Sequence, residues 1–166
     1  GPYHDEAINI MTSDVLVVEN CTFFENDVDV HCSTCKTRLE SNYSEASASF
    51  FEGSASSNYN STTLISNQFN GAPTDGFVVR GGSGTLILWN NNFGGGNASL
   101  HQNKVKWNDT QFGTIYSIGN VFTNVNQFTD IFKSDGNQPI QHLHLFSSGD
   151  LGGSLQNRLQ LKQPGN

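Results

Sequence analysis

The feature that most constrains the fold is a short repeat in the middle of the chain. Three segments each consist of a strand-like apolar run that closes on Asn-x-Phe: TLISNQF, TLILWNNNF and TIYSIGNVF. Their phenylalanines, Phe69, Phe93 and Phe122, stand 24 and then 29 residues apart. Apolar positions within the runs are spaced by two, which is the period of a β-strand. Strand units that recur at this interval are typical of the coils of a solenoid.

The same spacing extends toward both ends of the chain. Leu16 and Val18 precede Phe23 by seven and five residues, as Leu86 and Leu88 precede Phe93. A degenerate copy, IQHLHLFSSGDL, occurs near the C-terminus. Each copy is followed by a second short alternating run, and glycine-rich turns separate the runs. The pattern therefore predicts several coils of two or three strands each.

An asparagine stands two residues before the phenylalanine in each central copy, at Asn67, Asn91 and Asn120. Equivalent side chains of successive coils stack in a solenoid. We therefore expect an internal column of phenylalanines and, at the turn, a ladder of asparagines.

Composition excludes several classes of protein. The 166 residues include only 14% charged residues, with 17 Gly and 12 Phe, which suits one all-β domain rich in turns. The net charge is −7 and the eight basic residues are scattered, so we expect no nucleic-acid partner. No apolar run approaches the ~18 residues of a membrane span, so we expect no membrane insertion.

These coils, with their repeated x-N-x-F, resemble the right-handed parallel β-helix of the pectin-lyase-like superfamily, which includes polysaccharide lyases, polysaccharide hydrolases and phage tailspikes. We therefore predict an all-β, right-handed parallel β-helix of about six coils. We expect residues 1–166 to form one domain, whether or not the chain is a fragment of a longer one. Residues 36–60 are predicted to form an irregular coil with an exposed loop, with Phe50 or Phe51 in the stacked position. Residues 155–166 are predicted to be a cap or tail.

The acidic run after the first copy is the strongest candidate for chemistry. If Val28 and Val30 face the core, strand alternation places Glu25, Asp27, Asp29 and His31 on the outer face. Residues i and i+2 of a strand lie roughly 6.5–7 Å apart. Glu25, Asp27 and Asp29 could thus hold calcium, and Asp27 with Asp29 could be the acid and base of a glycosidase. The alternative is a solvated strand face whose charges oppose aggregation.

Arg80 is the second catalytic candidate. The segment GFVVRGGSGTLILWNNNF is similar to a segment of pectate lyases in which an Arg precedes a glycine turn and the next Asn-Asn-x-Phe strand. The resemblance implies an Arg that abstracts the proton beside a uronate carboxylate, which calcium acidifies. The family has two such arginines five residues apart; Arg80 matches the second, while the first position is Asp75 here. The alternative is a structural Arg that donates to turn carbonyls.

Trp89, Tyr116 and His31 are the predicted ligand-binding residues. Trp89 has the strand parity opposite to Leu86 and Leu88, so it is expected to face outward. An exposed Trp on a rigid sheet provides a stacking surface for a sugar ring. The alternative for Trp89 is that it covers a neighbouring loop.

The three cysteines, Cys21, Cys32 and Cys35, leave at least one thiol unpaired within the chain. We expect a small structural disulfide or plain thiols at Cys32-x-x-Cys35 rather than a metal site.

Together these features predict an extracellular or surface-exposed module that binds or depolymerises a polysaccharide, with calcium open as a cofactor. The alternative is a non-catalytic fibre segment of a tailspike or surface filament. Self-association is open in both cases, because uncapped β-helix ends favour stacking.

Overall fold

The structure is a computed structural model that describes residues 4–53, 61–70, 77–81, 84–94, 105–107, 114–122, 132–134, 141–145, 148–149 and 160–162. Its strands are β1 His4–Glu19, β2 Thr22–Phe24, β3 Asn26–Glu40, β4 Tyr43–Glu45, β5 Ser49–Gly53, β6 Ser61–Ile65, β7 Gln68–Asn70, β8 Phe77–Gly81, β9 Thr85–Trp89, β10 Asn92–Gly94, β11 Val105–Trp107, β12 Thr114–Ile118, β13 Val121–Phe122, β14 Phe132–Ser134, β15 Gln141–Leu145, β16 Ser148–Gly149 and β17 Gln160–Lys162. The described part of the chain includes no helix with the length and hydrophobicity of a membrane span.

The strands pair in parallel between successive coils, which confirms the predicted all-β parallel β-helix. One sheet has the order β16-β13-β10-β7-β4-β2, and the other has the order β14-β11-β8-β5-β3-β6-β9-β12-β15-β17 with β1 beside β3. The 15-residue strand β3 joins both halves of the larger sheet, because its first part pairs with β5 and its second part with β6. The tail contributes β17, which pairs antiparallel with β15.

The coil count differs from the prediction. The structure supports about three coils and not six. Side chains are described on all three strands of three successive coils, which are β1 to β3, β3 to β5 and β6 to β8. Beyond β8 the described residues are separate short strands, which extend the same sheets.

The predicted phenylalanine column is present in the interior from Phe23 to Phe93, and the side chain of Phe122 lies outside the described residues. Ring centroids are 6.0 Å apart for Phe23 and Phe50, 4.9 Å for Phe50 and Phe69, and 5.0 Å for Phe69 and Phe93. All four rings are buried. Burial of these aromatic rings, together with the leucines of β6 and β9, supplies the main driving force for stacking the coils.

The prediction that Phe50 or Phe51 occupies the stacked position is confirmed for Phe50. The register places Ser44, and not an aromatic residue, between Phe23 and Phe69. Phe50, on the next strand of the same coil, turns inward and fills the space that the small Ser44 leaves. Residues 36–53 thus form a coil in register with its neighbours, and the loop predicted before residue 60 falls on 54–60, outside the described residues.

The predicted asparagine ladder is confirmed and has a fourth member, Asn42. The Oδ1 atoms of Asn67, Asn91 and Asn120 each accept from the backbone N–H and the Nδ2 of the preceding asparagine, at 2.9–3.1 Å. Each Nδ2 also donates to a backbone carbonyl of the preceding coil. All four side chains are buried. The ladder satisfies turn groups that would otherwise be buried without partners.

A left-handed residue precedes every ladder position. Ser41, Ser66 and Asn90 have φ between 53° and 55°, and Gly119 has φ 63°. At Gly119 a Cβ would meet Oδ1 of Asn90, so a larger residue there would force the Asn90 side chain to move. The three non-glycine residues each cost about 1 kcal/mol of backbone strain, which the ladder hydrogen bonds offset.

The expectation for the cysteines is resolved in favour of a disulfide. Cys32 and Cys35 are bonded, with Cα atoms 6.2 Å apart, and both are buried within β3. Cys21 is the unpaired thiol, and its Sγ donates weakly to the carbonyl of Glu19 at 3.4 Å. Cys32 belongs to the part of β3 that pairs with β5, and Cys35 lies just before the part that pairs with β6.

Candidate functional site

The acidic run does not lie on one outer face. Glu25 and Asp27 are exposed, but Asp29 is fully buried, so the prediction for Asp29 is wrong. The register explains this difference: Val28 pairs with Ser49 and Val30 with Phe51, which places Asp29 opposite the inward-turned Phe50. Glu25 has φ 54° at the turn before β3, where the alternation counted from the sequence is interrupted.

Asp29 lies in a buried polar cluster. Its Oδ1 accepts from Nδ2 of Asn26 at 2.8 Å and from Oγ of Ser47 at 2.7 Å, and its Oδ2 accepts from Oγ of Ser44 at 2.5 Å. Burial raises the pKa of Asp29, and the three hydrogen bonds oppose part of that rise. A carboxylate enclosed in this way cannot touch a polysaccharide, so Asp27 and Asp29 do not form an accessible acid–base pair.

The predicted calcium ligands are not brought together either. Asp27 faces solvent, Asp29 faces the interior, and Glu25 lies on the preceding turn. Within the described part of the chain, no group of three or more His, Cys, Asp or Glu side chains could hold a metal ion.

His31 and Arg80 both contact carboxylates on adjacent strands. Nδ1 of His31 lies 2.6 Å from Oε1 of Glu6. Arg80 donates to Oε2 of Glu52 through Nη2 at 2.6 Å and through Nε at 3.2 Å. Glu52 is the register partner of Arg80, one coil earlier. The structural alternative for Arg80 assigned its guanidinium to turn carbonyls. The guanidinium instead donates to the carboxylate of Glu52.

Trp89 faces outward, as predicted, and Tyr116 also faces outward. Trp89 is 50% exposed and Tyr116 is 39% exposed. They lie on the adjacent strands β9 and β12, where Ile118 pairs with Trp89 and Tyr116 pairs with Ile87. Strands about 4.8 Å apart and a rise of about 3.3 Å per residue separate their Cα atoms diagonally by roughly 8 Å.

Three isoleucines complete an apolar surface around the two aromatic residues. Ile65 pairs with Trp89 on β6, and Ile87 and Ile118 are the cross-strand partners just described; all three are half-buried. We call this surface the aromatic face, and it consists of Ile65, Ile87, Trp89, Tyr116 and Ile118. Isolated exposed apolar side chains are normal, but a contiguous set on one flat sheet indicates a binding surface.

The aromatic face has a polar boundary on the side of β3. Arg38 and Glu40 occupy the same two register columns one coil before β6, and they form an ion pair with each other. The outer surface of this sheet thus changes from charged at β3 to apolar from β6 onward. The three isoleucines were not predicted, although the run TLILW is apolar at both strand parities, which signals a sheet with apolar residues on both faces.

Comparison with protein-family models, with curated proteins and with solved structures finds no match for this chain. The β-helix is therefore established by strand pairing alone, and membership of the pectin-lyase-like superfamily stays a prediction.

Proposed function

We propose that this protein binds a polysaccharide along the aromatic face. The observation that carries the proposal is the exposure of Trp89 and Tyr116 on neighbouring strands of a regular sheet. Aromatic rings stack on the apolar C–H faces of sugar rings, and two rings on one surface can engage two sugars of one chain. The asparagine ladder lies directly after the strands that bear these residues, so the surface is held rigid.

Hydroxyl groups beside the aromatic residues supply the polar contacts that a sugar also requires. Thr63, Thr85 and Thr114 share the outward parity of this sheet and are half-buried. No charged residue belongs to the aromatic face, and the Arg38–Glu40 pair lies in the same two register columns one coil earlier, on β3. The surface therefore suits a neutral polysaccharide better than one whose every sugar bears a carboxylate.

The proposed location is extracellular or on a cell or virion surface. The Cys32–Cys35 disulfide supports this, because structural disulfides persist mainly in oxidising compartments. Within the pectin-lyase-like resemblance, we propose a binding module rather than a lyase or hydrolase. The reason is that Asp29 is enclosed and Arg80 is paired with Glu52.

The proposal is tested by affinity electrophoresis against a panel of neutral and acidic polysaccharides, with calcium and with chelator. We expect retardation by a neutral polysaccharide, and a loss of affinity of about tenfold in Trp89→Ala and in Tyr116→Ala. Met11→Ala is the matched control, because Met11 is 65% exposed on the distant strand β1. Its affinity should equal that of the wild type.

Two results would redirect the proposal. Release of reducing ends or of unsaturated products would show depolymerisation and would return Arg80 and Asp27 to the candidate catalytic residues. Absence of binding across the panel, combined with concentration-dependent self-association, would favour the fibre segment.

A further inference from the structure

The outer edges of β1 and β2 pair with no strand among the described residues. Among the described residues, β1 pairs with β3 alone and β2 with β4 alone, whereas β3 to β13 have neighbours on both sides. β1 is 16 residues long, so its outer edge carries a long row of backbone N–H and C=O groups. Such an edge is a template for an added strand unless something blocks it.

The core is also incompletely covered at this end. Ile8, Ile10 and Leu16 of β1 contact the hydrophobic core but are only half-buried. Their register partners one coil later, Val30, Cys32 and Thr37, are all buried. The core positions of β3 are therefore fully shielded from solvent. The equivalent positions of β1 are shielded only on the side that faces β3.

The asparagine ladder does not extend past Cys21. Cys21 occupies the ladder position of the first coil, and its backbone N–H donates to Oδ1 of Asn42 at 2.9 Å. A coil stacked on β1 and β2 would need an equivalent Oδ1 from residue 21 for its own turn. The Cys21 side chain has no such acceptor oxygen, so the ladder ends at this coil.

Charge indicates what kind of chain could cover the edge. Residues 1–35 contain seven of the fifteen Asp and Glu residues and none of the eight Lys and Arg residues. The formal net charge of −7 therefore resides entirely in this segment. Asp5, Asp14 and Glu19 are exposed on β1 itself. A second copy that paired its own β1 here would bring two acidic strands together, which like-charge repulsion opposes.

We propose that the β1 edge is an interaction surface for an extended, lysine- or arginine-rich segment of a partner protein, which adds to the sheet as a further strand. Backbone hydrogen bonds to β1 supply the pairing, apolar side chains of the segment cover Ile8, Ile10 and Leu16, and its cationic side chains face Asp5, Asp14 and Glu19. This surface is separate from the aromatic face, so the proposal does not depend on polysaccharide binding.

The test uses the whole chain and a fluorescein-labelled peptide of about ten residues that alternates lysine and valine, with a glutamate–valine peptide as the control. Fluorescence anisotropy measures affinity, and hydrogen exchange locates the contact. We expect the lysine peptide alone to bind, to weaken about tenfold or more between about 0.1 and 1 M salt, and to slow amide exchange within residues 4–19.

Charge variants separate a specific site from general attraction. The triple variant Asp5→Asn, Asp14→Asn, Glu19→Gln should lose about tenfold or more in peptide affinity. The matched control, Asp109→Asn, Asp130→Asn, Asp135→Asn, removes the same net charge from the second half of the chain and should bind as the wild type does. Trp89→Ala should also bind the peptide normally.

Several results would overturn the proposal. Equal loss of affinity in both triple variants would mean nonspecific attraction to an acidic protein. Peptide binding without slower exchange in β1 would place the contact elsewhere. Exchange protection of β1 that appears with protein concentration, in the absence of peptide, would show that a second copy covers the edge. Failure of both peptides to bind would leave no cationic strand site there.

Discussion

At the scale of single residues, the buried polar groups differ in what they contribute. Asp29 is an acid enclosed by three donors, and the pKa of its carboxyl is raised above the ordinary 3.8 mainly by burial. The folded state therefore binds this proton more tightly than the unfolded state. The stabilising contribution of Asp29 is fully present below pH 3.8 and is lost as the pH rises through the raised pKa.

The first prediction is that Asp29→Asn becomes favourable relative to wild type as the pH rises from acid toward neutral. The amide that replaces the carboxyl has no charge to bury; its oxygen can accept from Asn26 and Ser47, and its nitrogen can donate to Ser44. Urea unfolding at a series of pH values measures the difference. Asp29→Ala should cost roughly 1–3 kcal/mol at acid pH, because it leaves buried donors without an acceptor, and this cost should fall as the pH rises through the raised pKa. A constant difference between Asp29→Asn and the wild type across pH would contradict the raised pKa.

A second prediction concerns the ladder. Asn91→Ala removes the acceptor of the Asn67 backbone N–H and the donor to the Leu64 carbonyl, so it should destabilise the protein by roughly 3 kcal/mol. Asn92 is the adjacent exposed residue, and Asn92→Ala should change the free energy of unfolding by no more than about 0.5 kcal/mol. Urea denaturation of both variants gives the comparison. Equal effects would mean that the ladder has no special role.

At the scale of elements, the Asn-x-Phe repeat correctly predicted the coils whose sequences have the same type of residue at each position of the repeat. Asn67, Asn91 and Phe93 could be placed from sequence because strand period and coil period agree there. The coil of β3 to β5 was harder to predict, since Ser44 replaces the aromatic residue and Phe50 fills the column from another strand. Asp29 was placed on the wrong face for the same reason: its environment is set by Ser44 and Ser47, 15 and 18 residues away.

At the candidate site, too, the alternation within one strand predicted some features and not others. Strand parity placed Trp89 outward correctly, because β9 is regular. It could not supply the partners of Arg80 and His31, since Glu52 and Glu6 come from other coils. Cross-coil contacts of this kind depend on the register between strands, which varies with the length of each turn.

A third prediction concerns Phe50, which fills the place in the phenylalanine column where the register puts Ser44. Phe50→Ala should destabilise by about 3–5 kcal/mol, because it opens a cavity between Phe23 and Phe69. Phe24→Ala is the matched control, since Phe24 is largely exposed on β2 and should cost no more than about 1 kcal/mol. Denaturant unfolding of the pair provides the measurement. A small effect of Phe50→Ala would mean that this coil packs independently of the column.

At the scale of the whole molecule, the solenoid separates two surfaces of different chemistry. The acidic first coil has the open edge of β1, while the aromatic face spans strands β6, β9 and β12 on the outside of the sheet. Binding at the β1 edge would depend on charge and on unpaired backbone groups. Binding at the aromatic face would depend on exposed aromatic rings on a hydrogen-bonded sheet. A ligand of one surface should therefore leave the affinity of the other unchanged.

The most direct test of polysaccharide binding uses Trp89 itself as the reporter. The chain has two tryptophans, so Trp107→Phe leaves Trp89 as the single one. Titration with a polysaccharide that retards the protein should shift Trp89 emission to shorter wavelength and protect it from acrylamide quenching, in a saturable manner. If a polysaccharide binds while Trp89 emission and quenching stay unchanged, the polysaccharide binds elsewhere and the aromatic face is not the binding site.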